Sequence, residues 1–404
     1  MSQRQGTASE ALAIQPGQAG FTPARRIYLD HNATTPLDPR VLDAMLPFLR
    51  DDYGNPSSLH WFGQRARGAV EEARARVAEL LAADPAEIVF TSGGSESDNT
   101  ALRGVAAKAR LPRCGIVCTA IEHHAVLNTA KALGDEGRPL AIVRVGEGGA
   151  VDPQALAASV GETTALVSVM LANNETGVLQ PVAEAAGLAH ARGALVHCDA
   201  VQGAGKVDVD VRALGVDLLT LSAHKIYGPK GVGCLYVRRG TPLAALVRGG
   251  GQERNRRAGT ENVAGVVGFG AAAAFARESL REDAVRIAAL RDRLEARLLA
   301  IPDTLRNGEG PRVPNTTNVS FERVEAEDLL IALDLEGVAV STGAACAAGG
   351  IEPSHVLRAM GLPPERVQSS LRLSLGRAST EADVDRAADV IAAVVARQRQ
   401  PTVR

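Results

Sequence analysis

Five short segments of the sequence end an apolar run with polar side chains that could do chemistry. They are TSGGSESDN at residues 91–99, IEHHAV at 121–126, LANNETGVLQP at 171–181, HCDAVQG at 197–203 and LSAHKIYGPKGVG at 221–233. In an open α/β sheet, ligands bind beyond the carboxyl ends of the strands. If these runs are strands of one sheet, their polar ends are therefore expected to share one site.

Lys225 is the strongest candidate for covalent chemistry among these residues. It ends an apolar run and is flanked by Ser222 and His224, so we expect it at the mouth of a pocket. Desolvation there would lower the pKa of the lysine, and its neutral amine could then form a Schiff base. Lys230 is the alternative, but its setting in GPKG predicts a tight turn that faces solvent.

Two of the other segments predict sites for a phosphate and for a flat ring. Gly94 lets the backbone approach a ligand, and Ser95 begins a helix whose free N–H groups and dipole favour an anion. An ordinary turn with a serine N-cap would give the same pattern. His123 could stack on an aromatic ligand or move protons, although a pair of hydrogen-bonded loop histidines is the alternative.

The two remaining segments supply an amide and a carboxylate. Asn174 could hold a ligand hydroxyl or carboxylate, but asparagines are also common in turns. Asp199 would be buried and would need a cationic partner, which a protonated pyridine nitrogen can provide. A phosphate cradle, a stacking imidazole, an acid for a ring nitrogen and a reactive lysine are together what pyridoxal 5'-phosphate (PLP) requires. We therefore predict a PLP site, and we expect no metal ion in it.

A layered α/β domain is expected to position these side chains. Between residues 87 and 238, β-rich runs alternate with helical stretches such as ESDNTALRGVAAKAR and VAEAAGLAHARG. Most of the runs are apolar throughout, as in strands buried on both faces of a largely parallel sheet with helices on either side. The runs are EIVFT, GIVCTAI, LAIVRVG, ALVSVMLAN, ALVHCDA, LLTLSA and GCLYVRR.

The pattern changes near residue 284, where the amphipathic segment AVRIAALRDRLEARLLA begins. The strand candidates after it are NTTNVSF, VAVSTGAAC and SLRLSLG, and the helix candidates are EAEDLLIALDLEG and EADVDRAADVIAAVVARQRQ. We predict a large PLP-binding domain over residues 25–283, whose first residues contribute to a smaller α+β domain over residues 284–404. Residues 1–24 are rich in Gln, Gly, Ala and Pro and are expected to form a flexible tail.

The overall composition is balanced in charge. The 404 residues include 44 basic and 46 acidic side chains, a net charge of −2, which gives no electrostatic reason to expect nucleic acid or an anionic membrane as a partner. No apolar run approaches the ~20 residues that a membrane-spanning helix requires, so we expect no such helix. The five cysteines are too sparse for a disulfide framework, so we expect a reducing cytoplasm. Cys114 and Cys118 have no second pair at zinc-like spacing and are expected in a buried strand.

Motifs over most of the chain carry a resemblance to a known family. They include YLDHNATTPLDPRV, YGNPSSLH, FTSGGSESDN, NNETGVLQP, HCDAVQGAGK, LSAHKIYGPKGVG, GGGQERNRRAGTENV, STGAAC, PSHVLRAMG and SLRLSLGR, in this order between about residues 27 and 377. The sequence resembles the cysteine desulfurases of the NifS/IscS type, which are class V aminotransferase-like PLP enzymes. The resemblance implies the PLP-dependent transferase fold of type I, in agreement with the layered α/β domain.

The resemblance also implies roles around the cofactor. Lys225 would hold PLP covalently, and His123 would stack on its ring and assist proton transfer. Asp199 would pair with the pyridine nitrogen, and Gln202 would hydrogen-bond the phenolic oxygen. The residues implied to bind the phosphate are Gly94, Ser95, Ser222 and His224.

Further roles concern the substrate and the second subunit. Asn174 would contact the cofactor and the substrate, and Arg372 would hold the carboxylate of L-cysteine through a bidentate pair. Thr260 would reach the phosphate from the other subunit, which implies a homodimer. Cys346, in a glycine-bounded run of small residues, would take the substrate sulfur as a persulfide, leaving L-alanine, and pass it to an acceptor such as an iron–sulfur scaffold protein.

Two departures from the family pattern and three alternative functions are relevant. Ser95 replaces the usual threonine and keeps the hydroxyl, whereas Ala344 replaces the usual serine two residues before Cys346 and could alter the stability of the thiolate. A selenocysteine lyase or an aminotransferase would also need Lys225 and Asp199, but a transaminase would not need Cys346. A silent scaffold protein would need none of them.

Overall fold

The computed structural model describes residues 26–343, 346–347, 350–351 and 353–400. The predicted tail, residues 1–24, and Ala344 lie outside these residues, and so does the side chain of Cys346. The strands are β1 Ile27–Tyr28, β2 Ile88–Thr91, β3 Gly115–Thr119, β4 Leu140–Val143, β5 Thr164–Ser168, β6 Leu195–Asp199, β7 Leu218–Ser222, β8 Gly233–Val237, β9 Thr304–Arg306, β10 Thr316–Phe321, β11 Val338–Ala339, β12 Cys346–Ala347, β13 Gly350–Ile351 and β14 Ser370–Ser374.

Helices occupy most of the intervening chain. They are α1 Pro39–Arg50, α2 Trp61–Leu80, α3 Gly94–Lys108, α4 His124–Asp135, α5 Pro153–Ser159, α6 Val182–Ala191, α7 Val211–Leu214, α8 Val263–Leu299, α9 Ala326–Leu335, α10 His355–Ala359, α11 Pro364–Gln368 and α12 Glu381–Gln398. Three short 3₁₀ turns lie at Pro85–Glu87, Ala223–Lys225 and Gln252–Asn255. The helical stretches named from the sequence correspond to α3, α6, α9, α12 and the second half of α8.

The seven predicted strands of the large domain form one sheet in the order β2-β8-β7-β6-β5-β3-β4. Only β8 runs against its neighbours, so the sheet is largely parallel, as predicted. Every residue of β2, β3, β5, β7 and β8 is buried, because helices cover both faces of such a sheet. The carboxyl ends of the parallel strands therefore meet at one edge.

The predicted strand over residues 165–173 ends earlier, at Ser168. Beyond it, the Val169 and Leu171 amides still donate to carbonyl groups of β6, but the Met170 amide donates to a carboxylate oxygen of Glu122 at 2.9 Å. The same Glu122 oxygen accepts from Thr119 Oγ1 at 2.6 Å. This buried carboxyl therefore ties the exits of β3 and β5 together behind the site.

Helix α8 is twice as long as the predicted helical segment, which forms only its second half. The first half is rich in Gly and Ala and packs against α1 and α2. An 18-residue window of α8 has a mean hydropathy of 1.3, enough by composition to cross a membrane, but 61% of that window is buried inside the protein. A Cβ atom at Gly270 would lie only 2.6 Å from the Cα of Ala73 on α2, so a glycine is required at this contact.

A buried ion pair fixes the loop before α8 to the large domain. Arg74 on α2 donates to both carboxylate oxygens of Glu253, at 2.8 and 2.9 Å, and both side chains are nearly fully buried. Glu253 also accepts from the Phe90 amide on β2 at 2.9 Å. Because every charged atom has a partner, the pair can remain ionised in the core.

A second core belongs to the C-terminal part of the chain. It contains Leu290 and Leu294 of α8 together with residues of β10, β14 and α12, and it also includes Ile27 and Leu29 from the start of the described chain. Strand β1 pairs in parallel with β11, in agreement with the predicted contribution of the first residues to the smaller domain. The predicted boundary between residues 283 and 284 falls inside α8, and the division into domains stays a prediction.

Candidate active site

The predicted site residues come together around one cavity of about 610 Å³ at the carboxyl edge of the large sheet. Two of the predicted residues are not found there. Thr260 lies elsewhere, and the Cys346 side chain is outside the described residues. The predicted residues that line the cavity are Gly94, Ser95, His123, Asn174, Asp199, Gln202, Ser222, His224, Lys225 and Arg372.

Lys225 follows β7 in a short 3₁₀ turn that directs its amine into the cavity. Burial, and then the positive charge of Arg372, lower the pKa of Lys225 to about 8. The amine donates to the carbonyl oxygens of Asn32 at 2.5 Å and Ala33 at 2.8 Å. The rival candidate, Lys230, is exposed, as its turn motif predicted. The geometry therefore favours Lys225 as the reactive amine.

Asp199, at the end of β6, and His123, after β3, both face the cavity. Burial raises the pKa of Asp199, while His123 and the Val201 amide, which donates to Asp199 Oδ1 at 2.9 Å, act in the opposite direction. Asp199 forms no ion pair with any described residue. His123 caps α4 by accepting from the Ala125 amide at its Nδ1, at 3.1 Å, and its surroundings lower its pKa. Its ring is therefore neutral and open to the cavity.

The turn between β2 and α3 has the features predicted for a phosphate cradle. Gly93 precedes α3 with φ of 154°, and no side chain caps the first turn of the helix, so its N–H groups remain available to an anion. Ser222 and His224 line the cavity beside Ser95. Burial lowers the pKa of His224 to about 4, and its Nδ1 lies 3.1 Å from Thr34 Oγ1, so it acts as a neutral hydrogen-bonding group.

Arg372 and Asn174 form the opposite side of the cavity. Arg372, on β14, pairs with Asp30 at 2.6 Å and donates to the Asn174 carbonyl oxygen at 3.1 Å. Its Nε and the side-chain oxygen of Asn174 are buried without a hydrogen-bond partner. Buried polar atoms normally have partners, so these two atoms are available to a ligand that carries both a donor and an acceptor, as an amino acid does.

The sequence reasoning missed several residues of the site, among them Asn32, Asp98 and Lys206, whereas Gln202 was implied by the resemblance. Gln202 donates to the Asn32 carbonyl oxygen at 2.9 Å and accepts from the buried amine of Lys206 at 2.5 Å. Asn32 also accepts from Lys206 through its side-chain oxygen, at 3.1 Å. Asp98 of α3 is fully buried beside Asp199. Each lies in a motif that was quoted above, but nothing local to the sequence indicates where its side chain points.

Thr260 was predicted to act from the second subunit, and its position agrees with a role outside its own cavity. It is exposed and lines a separate depression of about 140 Å³ together with Ser92, Arg257 and Gly259. Arg257 is held there by Glu96 of α3, at 2.9 Å. The role of Thr260 stays a prediction.

The residues around the cavity fit PLP. A buried carboxylate without a cation suits a pyridinium, and an uncapped helix start with adjacent hydroxyls suits a phosphate. A lysine whose pKa is lowered suits the aldehyde, and the flat face of His123 suits the ring. Asp98, His123 and Asp199 each place one ligand atom within 4.8 Å of the others, a spacing a metal could use. We attribute the cluster to the cofactor ring, because Lys225 and the cradle adjoin it.

Comparisons with known proteins agree with this geometry. Residues 27–387 match the family model described as aminotransferase class-V. The chain is 48% identical over 375 residues to a cysteine desulfurase of Nostoc sp., covering 92% of this chain and 94% of that protein. A solved NifS-like protein is 40% identical, with a TM-score of 0.87 over 92% of this chain and 99% of that one. SspA, solved in complex with cysteine, is 35% identical, with a TM-score of 0.77 over 86% and 98% of the two chains. The chain therefore belongs to the cysteine desulfurases of the class-V aminotransferase family, which are PLP-dependent enzymes.

Proposed function

We propose that the site described above removes sulfur from L-cysteine and carries it as a persulfide on Cys346. In the overall reaction, L-cysteine and the Cys346 thiol give L-alanine and the Cys346 persulfide, so that one carbon–sulfur bond breaks and one sulfur–sulfur bond forms. The observation that carries the proposal is the single cavity that holds Lys225, Asp199 and Arg372. The structure of the relative SspA with cysteine supports the choice of substrate.

Each residue of the cavity has a part in the proposed reaction. Arg372 donates to the substrate carboxylate through Nε, and Asn174 accepts from a donor group of the bound amino acid through its side-chain oxygen; neither atom has a partner among the described residues. Lys225, whose amine is close to neutrality at physiological pH, takes the proton from the substrate α-carbon and later returns one. PLP supplies the electron sink for that step. With the cofactor bound, Asp199 would hold the ring nitrogen and His123 would pack on the ring.

The assignment of Cys346 rests on the family resemblance. Cys114, Cys118, Cys198 and Cys234 are buried free thiols, and burial raises the pKa of Cys118 and Cys198 well above the usual value. A buried thiol with a raised pKa is a poor nucleophile. The four described cysteines therefore leave Cys346 as the best candidate for sulfur transfer.

Mass spectrometry after incubation with L-cysteine tests this function. We expect a one-sulfur adduct on the peptide that carries Cys346 and one alanine released per adduct. Cys346→Ala is expected to lose both, while the matched variant Cys114→Ala keeps them. Alanine release at the wild-type rate by Cys346→Ala would show that the nucleophile has been assigned wrongly.

The proposal also covers the oligomeric state of the enzyme, its cellular compartment and its sulfur acceptor. We propose a cytoplasmic homodimer in which Thr260 of each subunit contacts the phosphate of the other, and a sulfur acceptor such as an iron–sulfur scaffold protein. The exposure of Thr260, outside its own cavity, supports the contact between subunits. Sedimentation of the holoenzyme is expected to give a dimer, and a stable, active monomer would contradict it.

A further inference from the structure

Three carboxyl groups are buried at the Asp199 end of the cavity, where the cofactor ring nitrogen brings only one positive charge. Asp98, Glu122 and Asp199 are each at most 5% exposed. Asp98 Oδ1 and Glu122 Oε2 have no hydrogen-bond partner. Asp199 lies next to Asp98, with one oxygen of each within 4.8 Å. The three carboxyl groups therefore cannot all be ionised, and some of them must be protonated.

The groups around Asp98 supply no cation. The nearest basic atom is His197 Nε2, at 3.5 Å. His197 is fully buried on β6, which lowers its pKa to about 3 and leaves the ring neutral. The Thr220 hydroxyl of β7 hydrogen-bonds the Asp98 carboxyl and lies 3.0 Å from His197 Nε2. The other ring nitrogen lies 2.9 Å from Ser168 Oγ. His123, also within 4.8 Å of Asp98, has its pKa lowered by burial, so the described groups next to Asp98 other than Asp199 and Glu122 are neutral.

Joint ionisation of Asp98 and Asp199 is strongly disfavoured. At 4.8 Å and an effective dielectric constant of about 20, repulsion opposes a second charge by a factor of roughly 300. Burial, Asp199 and Glu122 all raise the pKa of Asp98, and only the Thr220 hydroxyl acts against them. Asp199, in contrast, faces the cavity and has the Val201 amide as a donor. The negative charge therefore belongs on Asp199.

We propose that Asp98 is a positioning residue that stays protonated in the working enzyme and so leaves Asp199 as the only carboxylate at the ring nitrogen. A protonated Asp98 donates to the Thr220 hydroxyl. The Thr220 hydroxyl can then donate to His197 Nε2, and His197 Nδ1 can donate to the Ser168 hydroxyl. This inference rests on the proposed assignment of Asp199. The buried chain of hydrogen-bonded side chains would then have a function, which is to keep Asp98 protonated while Asp199 is ionised.

Neutral and apolar replacements of Asp98 distinguish this role from a structural one. Asp98→Asn keeps the shape, the neutrality and a donor, whereas Asp98→Leu removes both polar atoms. We expect apoprotein with Asp98→Asn to bind PLP within about threefold of the wild type, and Asp98→Leu to bind it roughly tenfold or more weakly. The pH titration of the bound cofactor's absorption is expected to be unchanged in Asp98→Asn. Asp43→Asn, an exposed replacement on α1, is the matched control.

Asp199→Asn separates failure of this inference from failure of the proposed site. It is expected to weaken PLP binding and shift the titration, and if it does neither, the assignment of Asp199 is wrong. If Asp199→Asn behaves as expected but Asp98→Asn shifts the titration to the same extent, Asp98 is an anion and our inference is overturned. Wild-type PLP affinity in Asp98→Leu would overturn it as well.

The pH dependence of unfolding of the apoprotein provides a readout that is independent of the cofactor. A group whose pKa is raised in the folded state binds more protons there than in the unfolded chain, so stability falls as pH rises above the usual pKa of about 4. Asp98→Asn removes that loss, and its stability relative to the wild type is expected to increase with pH. A relative stability that decreases with pH would mean that the folded protein favours the ionised form, contrary to our inference.

Discussion

The amine of Lys225 is expected to capture PLP at a much lower pH than an ordinary lysine does. Its pKa of about 8, against the usual 10.5, follows first from burial and then from the charge of Arg372. At pH 7 the neutral fraction is therefore larger by about 10^2.5, or roughly 300-fold, than for an exposed amine. Because only the neutral amine attacks the aldehyde, the rate of covalent capture is expected to increase with pH up to a midpoint near 8.

Reduction with borohydride after a short exposure of the apoprotein to PLP measures this rate. The amount of reduced cofactor on the Lys225 peptide is followed from pH 6 to 10, and a small lysine amide treated in the same way corrects for the titration of PLP itself. Arg372→Gln removes the positive charge that lowers the pKa, so its midpoint is expected to lie higher than that of the wild type. Arg277→Gln, which removes an exposed charge paired with Glu79, is expected to leave the midpoint unchanged.

Two results would refute this reasoning. A wild-type midpoint near 10.5 would mean that burial does not destabilise the ammonium, for example because the two carbonyl groups that accept from it compensate for the lost water. Equal midpoints in the wild type and Arg372→Gln would mean that Arg372, which is already paired with Asp30, exerts no net effect on the amine.

Three further predictions concern catalysis and stability. Arg372→Lys cannot form a bidentate pair, so kcat/KM for cysteine is expected to fall by about 10- to 100-fold in initial-rate assays; an unchanged value would exclude contact with the substrate carboxylate. Glu122 has a folded-state pKa of about 8, so wild-type stability is expected to decrease between pH 4.5 and 8 by up to about 1.4 kcal/mol per pH unit. In urea unfolding, Glu122→Gln is expected to lose the part of this decrease that Glu122 causes, so its stability relative to the wild type rises over that range; parallel pH profiles would contradict the assignment. Glu253→Gln leaves the buried guanidinium of Arg74 with only the more exposed Glu71 as an anionic partner and is expected to cost about 3–5 kcal/mol in urea unfolding; a loss below ~1 kcal/mol would show that Glu71 or water compensates the charge.

The strand exits were predictable because two local properties coincide there. An apolar run buried on both faces indicates a strand of a parallel sheet, and the first polar residue after it must lie at the edge of that sheet. Lys225 and Asp199 were found in this way, and both line the cavity. Their partners were not found, because the contact between Lys225 and Asn32 spans 193 residues, and no local pattern encodes it.

Other features could not be predicted because their sequence signals are weak or absent. The first half of α8 is buried on most sides, so its Gly- and Ala-rich sequence lacks the 3.6-residue periodicity that revealed the second half. Asp98 lies in a polar stretch at the start of α3, where an N-terminal acidic residue is usually explained by the helix dipole. Only the packing of α3 against β6 and β7 reveals that this carboxyl is buried beside a second one.

The pairing of β1 with β11 has a consequence for how the enzyme is made. Ile27 and its partner Val338 are separated by most of the chain, and Asn32, shortly after β1, accepts hydrogen bonds from Lys225 and Gln202. During synthesis the beginning of the chain therefore leaves the ribosome long before the strand that fixes it exists. The large sheet can form earlier, but the pocket lacks one wall until β14 has been translated and Ser374 pairs with Asp30. PLP is thus expected to be captured by finished chains, and a nascent or truncated polypeptide is expected to remain without its cofactor.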